Sequence, residues 1–282
     1  MPREHRMPSG HRVFAQYAHA PNALGYCGPP GSERLQAVAC GGAPDTDVVA
    51  LAKQFSGAWP YQEVIAQLAG IPDPLDERVV RAYWTSDELS GRIDRAEFGA
   101  ALLARLASQA GHYWKHLTED LLGEAAPTHN FHVFGVYPWS RLLDTGMPQP
   151  LQVLDSCRIR WGEVVGIDHD RAVVRSRRLS WDGTRLSLGP EQDDPADYRV
   201  PEGAFVNDLT VGDRVAVHWD FVCDRLDPDR VDRLRGQTEW QLAQTNQRLI
   251  RQATPSRGNG PTRTFPGYHD WNPLPVAGSE PT

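Results

Sequence analysis

The sequence predicts an α+β protein: an N-terminal all-helical region, then a small β-barrel, then one C-terminal helix. Three observations carry this. Apolar residues recur at helical spacing from about residue 47 to residue 122. Between about residues 153 and 226 short β-rich runs alternate with polar turns. From Asp229 a helix-compatible run leads into a tail rich in Pro, Gly and Ser.

The helices follow in order. Asp47 to Ser56 has Asp45 or Thr46 as an N-cap, and Val48, Val49, Leu51, Ala52 and Phe55 at helical spacing. Tyr61 to Ala69 repeats the pattern with Val64, Ile65 and Leu68. Asp76 to Trp84 follows the break at Pro72 and Pro74. Asp94 to Leu122 is the longest candidate, with Gly111 as a point of interruption. Ala23 to Gly42, rich in Gly and Pro, reads as an ordered but irregular loop. His129 to Leu143 is dense in aromatics and predicts a buried connection, part of it strand.

The strand candidates are Ile159 to Val165, Arg171 to Ser176, Thr184 to Leu188 and Arg214 to Val222. Turn signals separate them at Asp168 to Asp170, Asp182-Gly183 and Val211 to Asp213. Several short strands with no helix between them argue for a small barrel. Glu191 to Glu202, acidic and Pro-containing, reads as a loop insertion. The domains implied are 1–150 (helical), 153–252 (barrel plus helix) and a disordered tail over 253–282.

Composition narrows the function. The formal net charge of -7 disfavours nucleic acid and anionic membranes, since both need a basic surface. No apolar run approaches the roughly 20 residues of a membrane span. Met1 to Arg12 lacks the apolar stretch of a signal peptide. The expectation is a cytoplasmic chain whose Cys27, Cys40, Cys157 and Cys223 are thiols. There is no phosphate loop, dinucleotide fingerprint or nucleophile elbow.

Four segments of the strand region form a pattern. Cys157-Arg-Ile-Arg-Trp-Gly162 opens it. Glu163 to Asp168 and Arg171 to Val174 give two strands and a turn. Val211-Gly-Asp-Arg-Val-Ala-Val-His218 is a late strand ending in His, and Phe221 to Leu226 with an Asp/Arg-rich helix closes the series. In that order the segments resemble the HypC/HupF family of hydrogenase assembly chaperones, over about a third of the chain. The resemblance implies an OB-like barrel and an accessory role in [NiFe]-hydrogenase maturation. Such proteins carry an Fe(CN)2CO unit transiently between a scaffold partner and the hydrogenase large subunit. Cys157 would be the iron-binding thiol and His218 its support. Two features depart from the family: Cys157 is internal rather than next to the initiator Met, and Trp181 to Phe205 lengthens the middle of the barrel. The segments APNALGYCGPPG and HNFHVFGVYPW look like those of an uncharacterised actinobacterial family, which adds no mechanism.

A soft thiolate suits iron with strong-field ligands. For the thiolate to exist at neutral pH its pKa must fall, and Arg158 and Arg160 are the cations at hand. The bland alternative is a small buried hydrophobe at a strand start. Cys27, in a Gly/Pro loop, is a second thiol candidate, with His129 and His132 or His112 and His116 as histidine pairs. That set describes a rival function: a metalloprotein or enzyme with its site in the N-terminal half. A pure protein-interaction module is the third. Cys223 reads as core, and the arginines at 158, 160, 171, 175, 177 and 178 as a solvated face or a surface for an acidic partner.

Overall fold

The computed structural model describes residues 8–108 and 119–253. It is α+β, with N-terminal helices, a five-stranded sheet and a C-terminal helix. The helices are α1 (Ser9–Ala23), α2 (Glu33–Ala39), α3 (Val48–Ala52), α4 (Trp59–Ala69), α5 (Glu77–Thr85), α6 (Glu88–Arg92) and α7 (Arg95–Ser108). Asp47 caps α3 by accepting from the Ala50 N–H, and Asp76 caps α5 by accepting from the Arg78 N–H. Three of these helices were not expected: α1, which begins inside the polar Met1 to Arg12 stretch, α2, which lies in the segment read as an irregular loop, and α6. α1 is nevertheless buried along Val13, Phe14, Tyr17 and Ala18. Its Pro21 sits near the C-terminal end.

Residues 129–143 also differ from expectation. They are helical turns, with no strand: α8 (His129–Phe131), a π turn at His132–Val136 and a 3-10 turn at Pro138–Thr145. α9 (Gln149–Cys157) follows, so Cys157 ends a helix and does not begin a strand. α9 runs through residues 150–153, where the change of texture places a boundary.

The sheet comprises β1 (Arg160–Asp168), β2 (Arg171–Trp181), β3 (Leu186–Asp197), β6 (Arg214–His218) and β7 (Phe221–Arg225). A separate two-stranded ribbon joins β4 (Arg199–Val200) to β5 (Gly203–Ala204). The pairing order β1-β2-β3-β7-β6 returns to β1 and so closes on itself. Val164, Val174, Ala196, Val215, Val217 and Val222 fill the interior. Arg214 to Val222, expected as one strand, is a hairpin whose turn is Trp219-Asp220.

The acidic segment is not a loop insertion. β3 runs through it and pairs with β2, placing Asp193 opposite Arg175, Glu191 opposite Arg177 and Asp197 opposite Arg171. Each charge run is thus the cross-strand partner of the other, with Arg175 and Asp193 bonded at 2.8 Å. β3 meets β7 only at Asp197, so its outer edge is mostly unpaired and tolerates Pro190 and Pro195.

The helices and the sheet share one core. Phe14, Tyr17, Leu35, Tyr61 and Trp84 are in the same cluster as Ile159, Phe205, Ala216, Phe221 and Cys223. α10 (Pro228–Ala253) spans both regions, with Gly236 inside it. Its Asn246 bonds both the N–H and the carbonyl of Leu186 at 2.8 Å. Its buried Arg248 pairs with buried Glu124. His112, His116 and the tail after Ala253 lie outside the described residues.

Candidate metal centre

The seam between helices and sheet holds three convergent ligand groups: His129, Cys157 and His218, all buried. Their donor atoms lie within 4.8 Å of one another. Each arrives on a different element. His129 opens α8, Cys157 closes α9, and His218 closes β6.

Hydrogen bonds fix the two imidazoles. His218 Nδ1 lies 2.8 Å from the carbonyl of Tyr17. A carbonyl only accepts, so Nδ1 carries the proton and Nε2 keeps a bare lone pair. That Nε2 is buried without a hydrogen-bond partner. His129 Nε2 lies 2.8 Å from the Cys157 carbonyl, one of the acceptors left open at a helix C-terminus. The Tyr83 hydroxyl is 3.0 Å from His129 Nδ1. With Nε2 donating to the carbonyl, the hydroxyl donates to Nδ1. The hydroxyl can reverse, since it donates or accepts equally well. His129 can then carry its proton on Nδ1 and turn a bare Nε2 toward Cys157 Sγ, 3.9 Å away.

The surroundings are apolar. Trp84 packs 4.6 Å from the His129 ring and 5.6 Å from the His218 ring. Burial pulls His129 well down and brings His218 down to about 4, so both are neutral at pH 7. Burial also pushes the Cys157 thiol up to about 12. The expected fall in thiol pKa is therefore reversed. Arg158 and Arg160 do not face the sulfur. Both are buried and turned to carboxylates: Arg158 bonds Asp155 at 2.9 Å and Arg160 bonds Asp220 at 2.9 Å. This also removes them from the solvated face that the arginine run suggested; Arg171, Arg175 and Arg177 remain on it.

With the proton held on sulfur and the imidazoles neutral, the triad offers one sulfur and two nitrogen donors in a dry pocket. Tetrahedral binding of a first-row ion places such donors about 3.5 Å apart. Contraction by about 1 Å closes the gap, and coordination itself deprotonates the thiol.

A turn and a loop frame the centre. Trp219 and Asp220 both adopt left-handed backbone, at φ 52° and 54°, as a type I′ hairpin requires. Neither is glycine, and the strain is offset by fixed partners. The Trp219 N–H donates to the Ser156 carbonyl at 2.9 Å. The Asp220 carboxylate accepts from Arg160 and Arg178, each at 2.9 Å. Across the turn, the ring of Tyr26 stacks on Trp219 at 3.9 Å. This brings the Gly25-to-Gly31 loop, with Cys27, over the seam. Cys27 is half-buried, and its thiol is pushed up first by burial and then by neighbouring Cys157.

The sequence candidates therefore divide. Cys157, His218 and His129 meet, and Cys27 stands outside that cluster, on the loop whose Tyr26 stacks on Trp219. His132 does not join the triad: its ring packs on Tyr61 and Tyr137 and abuts Gly57, where an added Cβ would sit 2.7 Å from Nε2. Cys223 is core, as its position on the strand implies. Tyr17, Tyr83, Trp84 and Trp219 were not anticipated. Of these only Trp219, adjacent to His218, carried a signal in the sequence.

No helix among the described residues is long and apolar enough to cross a membrane. No curated protein and no solved structure matches the chain. Residues 6–252 match the model of a family of unknown function, DUF6390, and the chain belongs to that family.

Proposed function

We propose that this chain handles a metal centre during assembly of a [NiFe]-hydrogenase, taking an Fe(CN)2CO unit as cargo on Cys157 with His218 and His129. The closed sheet, read as HypC-like, would dock the hydrogenase large subunit or the maturation scaffold. One observation carries the reading. The Cys and the His that mark the resemblance, distant in sequence, bring their donor atoms into one buried cluster with His129. The helical region would add selectivity, because His129 extends the thiol–imidazole pair of the resemblance.

Affinity capture from the native host tests this, comparing wild type with Cys157→Ala. The reading expects the large subunit or scaffold with wild type and its loss from the variant. Capture of neither by wild type would overturn it.

A second reading uses the same cluster. Cys157 is only 6% exposed, and burial favours a retained ion over one handed on. The protein would then be a resident metalloprotein. Metal that stays bound through prolonged dialysis against apo large subunit favours this reading; metal that leaves favours the first.

A further inference from the structure

The triad supplies three donors, whereas closed four-coordinate sites use four protein ligands. A further thiol, Cys27, stands on the Gly25-to-Gly31 loop. That loop is held in place by several contacts. Asn22 Nδ2 donates to the carbonyls of Cys27 and Pro29, at 2.8 and 2.6 Å. Gly28 takes φ +82° against the Phe55 ring, where a Cβ would lie 2.3 Å from the nearest ring carbon. Tyr26 is clamped on Trp219, whose backbone is bonded to Ser156, next to Cys157. The loop is thus fastened to the residues that carry the triad. The Nε2 of His218, a residue only 1% exposed, is buried without a hydrogen-bond partner.

We infer that Cys27 is the fourth ligand, completing a Cys2His2 centre with Cys157, His129 and His218 for a thiolate-binding first-row ion. This rests on the resident-metal reading of the triad, since iron that keeps two cyanides and a carbonyl has only three positions left, and it extends that reading in two ways. It draws two ligands from each side of residue 150, with His218 alone on the sheet. It also makes the Tyr26–Trp219 stack the latch that sets the distance of Cys27 from the ion. The electrostatic influence of Cys157 on the Cys27 thiol is consistent with that proximity. On binding, two S–H bonds break, two S–metal bonds form, and two protons pass to the buffer.

Cobalt(II) added to the full-length metal-free chain is the test, because its near-ultraviolet thiolate band scales with the number of bound sulfurs. Wild type is expected to show the intensity of two thiolates. Cys27→Ser and Cys157→Ser should each retain about half, with weaker binding. Sulfur counting by X-ray absorption on cobalt-loaded wild type should give two, and needs no variant to fold. One sulfur in wild type, with a band insensitive to Cys27→Ser but lost in Cys157→Ser, would overturn the role of Cys27 and leave the triad standing. Absence of any thiolate band in wild type would overturn both.

Discussion

His218 at the end of β6 donates its Nδ1–H to the carbonyl of Tyr17 in α1 across 2.8 Å, and this bond decides which nitrogen faces the seam. A strand from the sheet thereby has its tautomer set by a helix from the other end of the chain. The bare Nε2 that results is the donor a metal centre needs.

Tyr83 plays the matching part for His129. Tyr83→Phe removes the hydroxyl that can accept the Nδ1 proton when Nε2 turns to a metal. Zinc affinity, measured by competition with a chromophoric chelator, should weaken by about 10- to 100-fold. The ring and its packing survive, so far-ultraviolet circular dichroism should not change.

Acid should destabilise the metal-free chain through its buried histidines. Burial lowers His132 to about 3 and His218 to about 4, and lowers His129 as well, whereas unfolded histidine titrates near 6.5. Below about pH 6.5 the unfolded state therefore binds more protons, and stability falls until the folded pKa values are reached. Above that range these groups contribute no pH dependence. Each can add up to about 1.4 kcal/mol per pH unit. Urea midpoints should drop between pH 7.5 and pH 5, and His132→Phe should flatten the slope.

The Glu124–Arg248 pair holds α10 against the turns around residues 119–145. Arg248 also donates to the Phe134 carbonyl at 2.8 Å and to Ser140 Oγ at 3.0 Å. Glu124→Ala leaves a buried guanidinium uncompensated and should cost about 3–5 kcal/mol by urea denaturation. Adding Arg248→Met should recover much of that loss, because the unpaired charge is then gone.

The parts of this fold with local signals were legible in the sequence. Amphipathic stretches around α4 and α5, the β1–β2 hairpin and the long α10 all announce themselves by period and turn chemistry. β3 did not, because its acidic run stabilises a strand only when the arginines of β2 stand opposite it. α1 was hidden by a buried polar face, in which Gln16 and His19 interrupt the apolar pattern. At the site, residue type pointed to Cys157, His218, His129 and Cys27 separately and in rival functions. Their meeting depends on the packing of α8 and α9 against the β6–β7 hairpin, which no local pattern encodes. The same packing explains why the thiol pKa rises: it buries the sulfur, and the arginines beside Cys157 in sequence turn away to Asp155 and Asp220.

Equilibrium dialysis against zinc(II) tests the central claim most directly, comparing the full-length chain with a Cys157→Ser/His218→Gln double variant. The account predicts one ion per wild-type chain and binding at least about 100-fold weaker in the variant, with its fold retained by circular dichroism. Equal stoichiometry and affinity in the two proteins would contradict it.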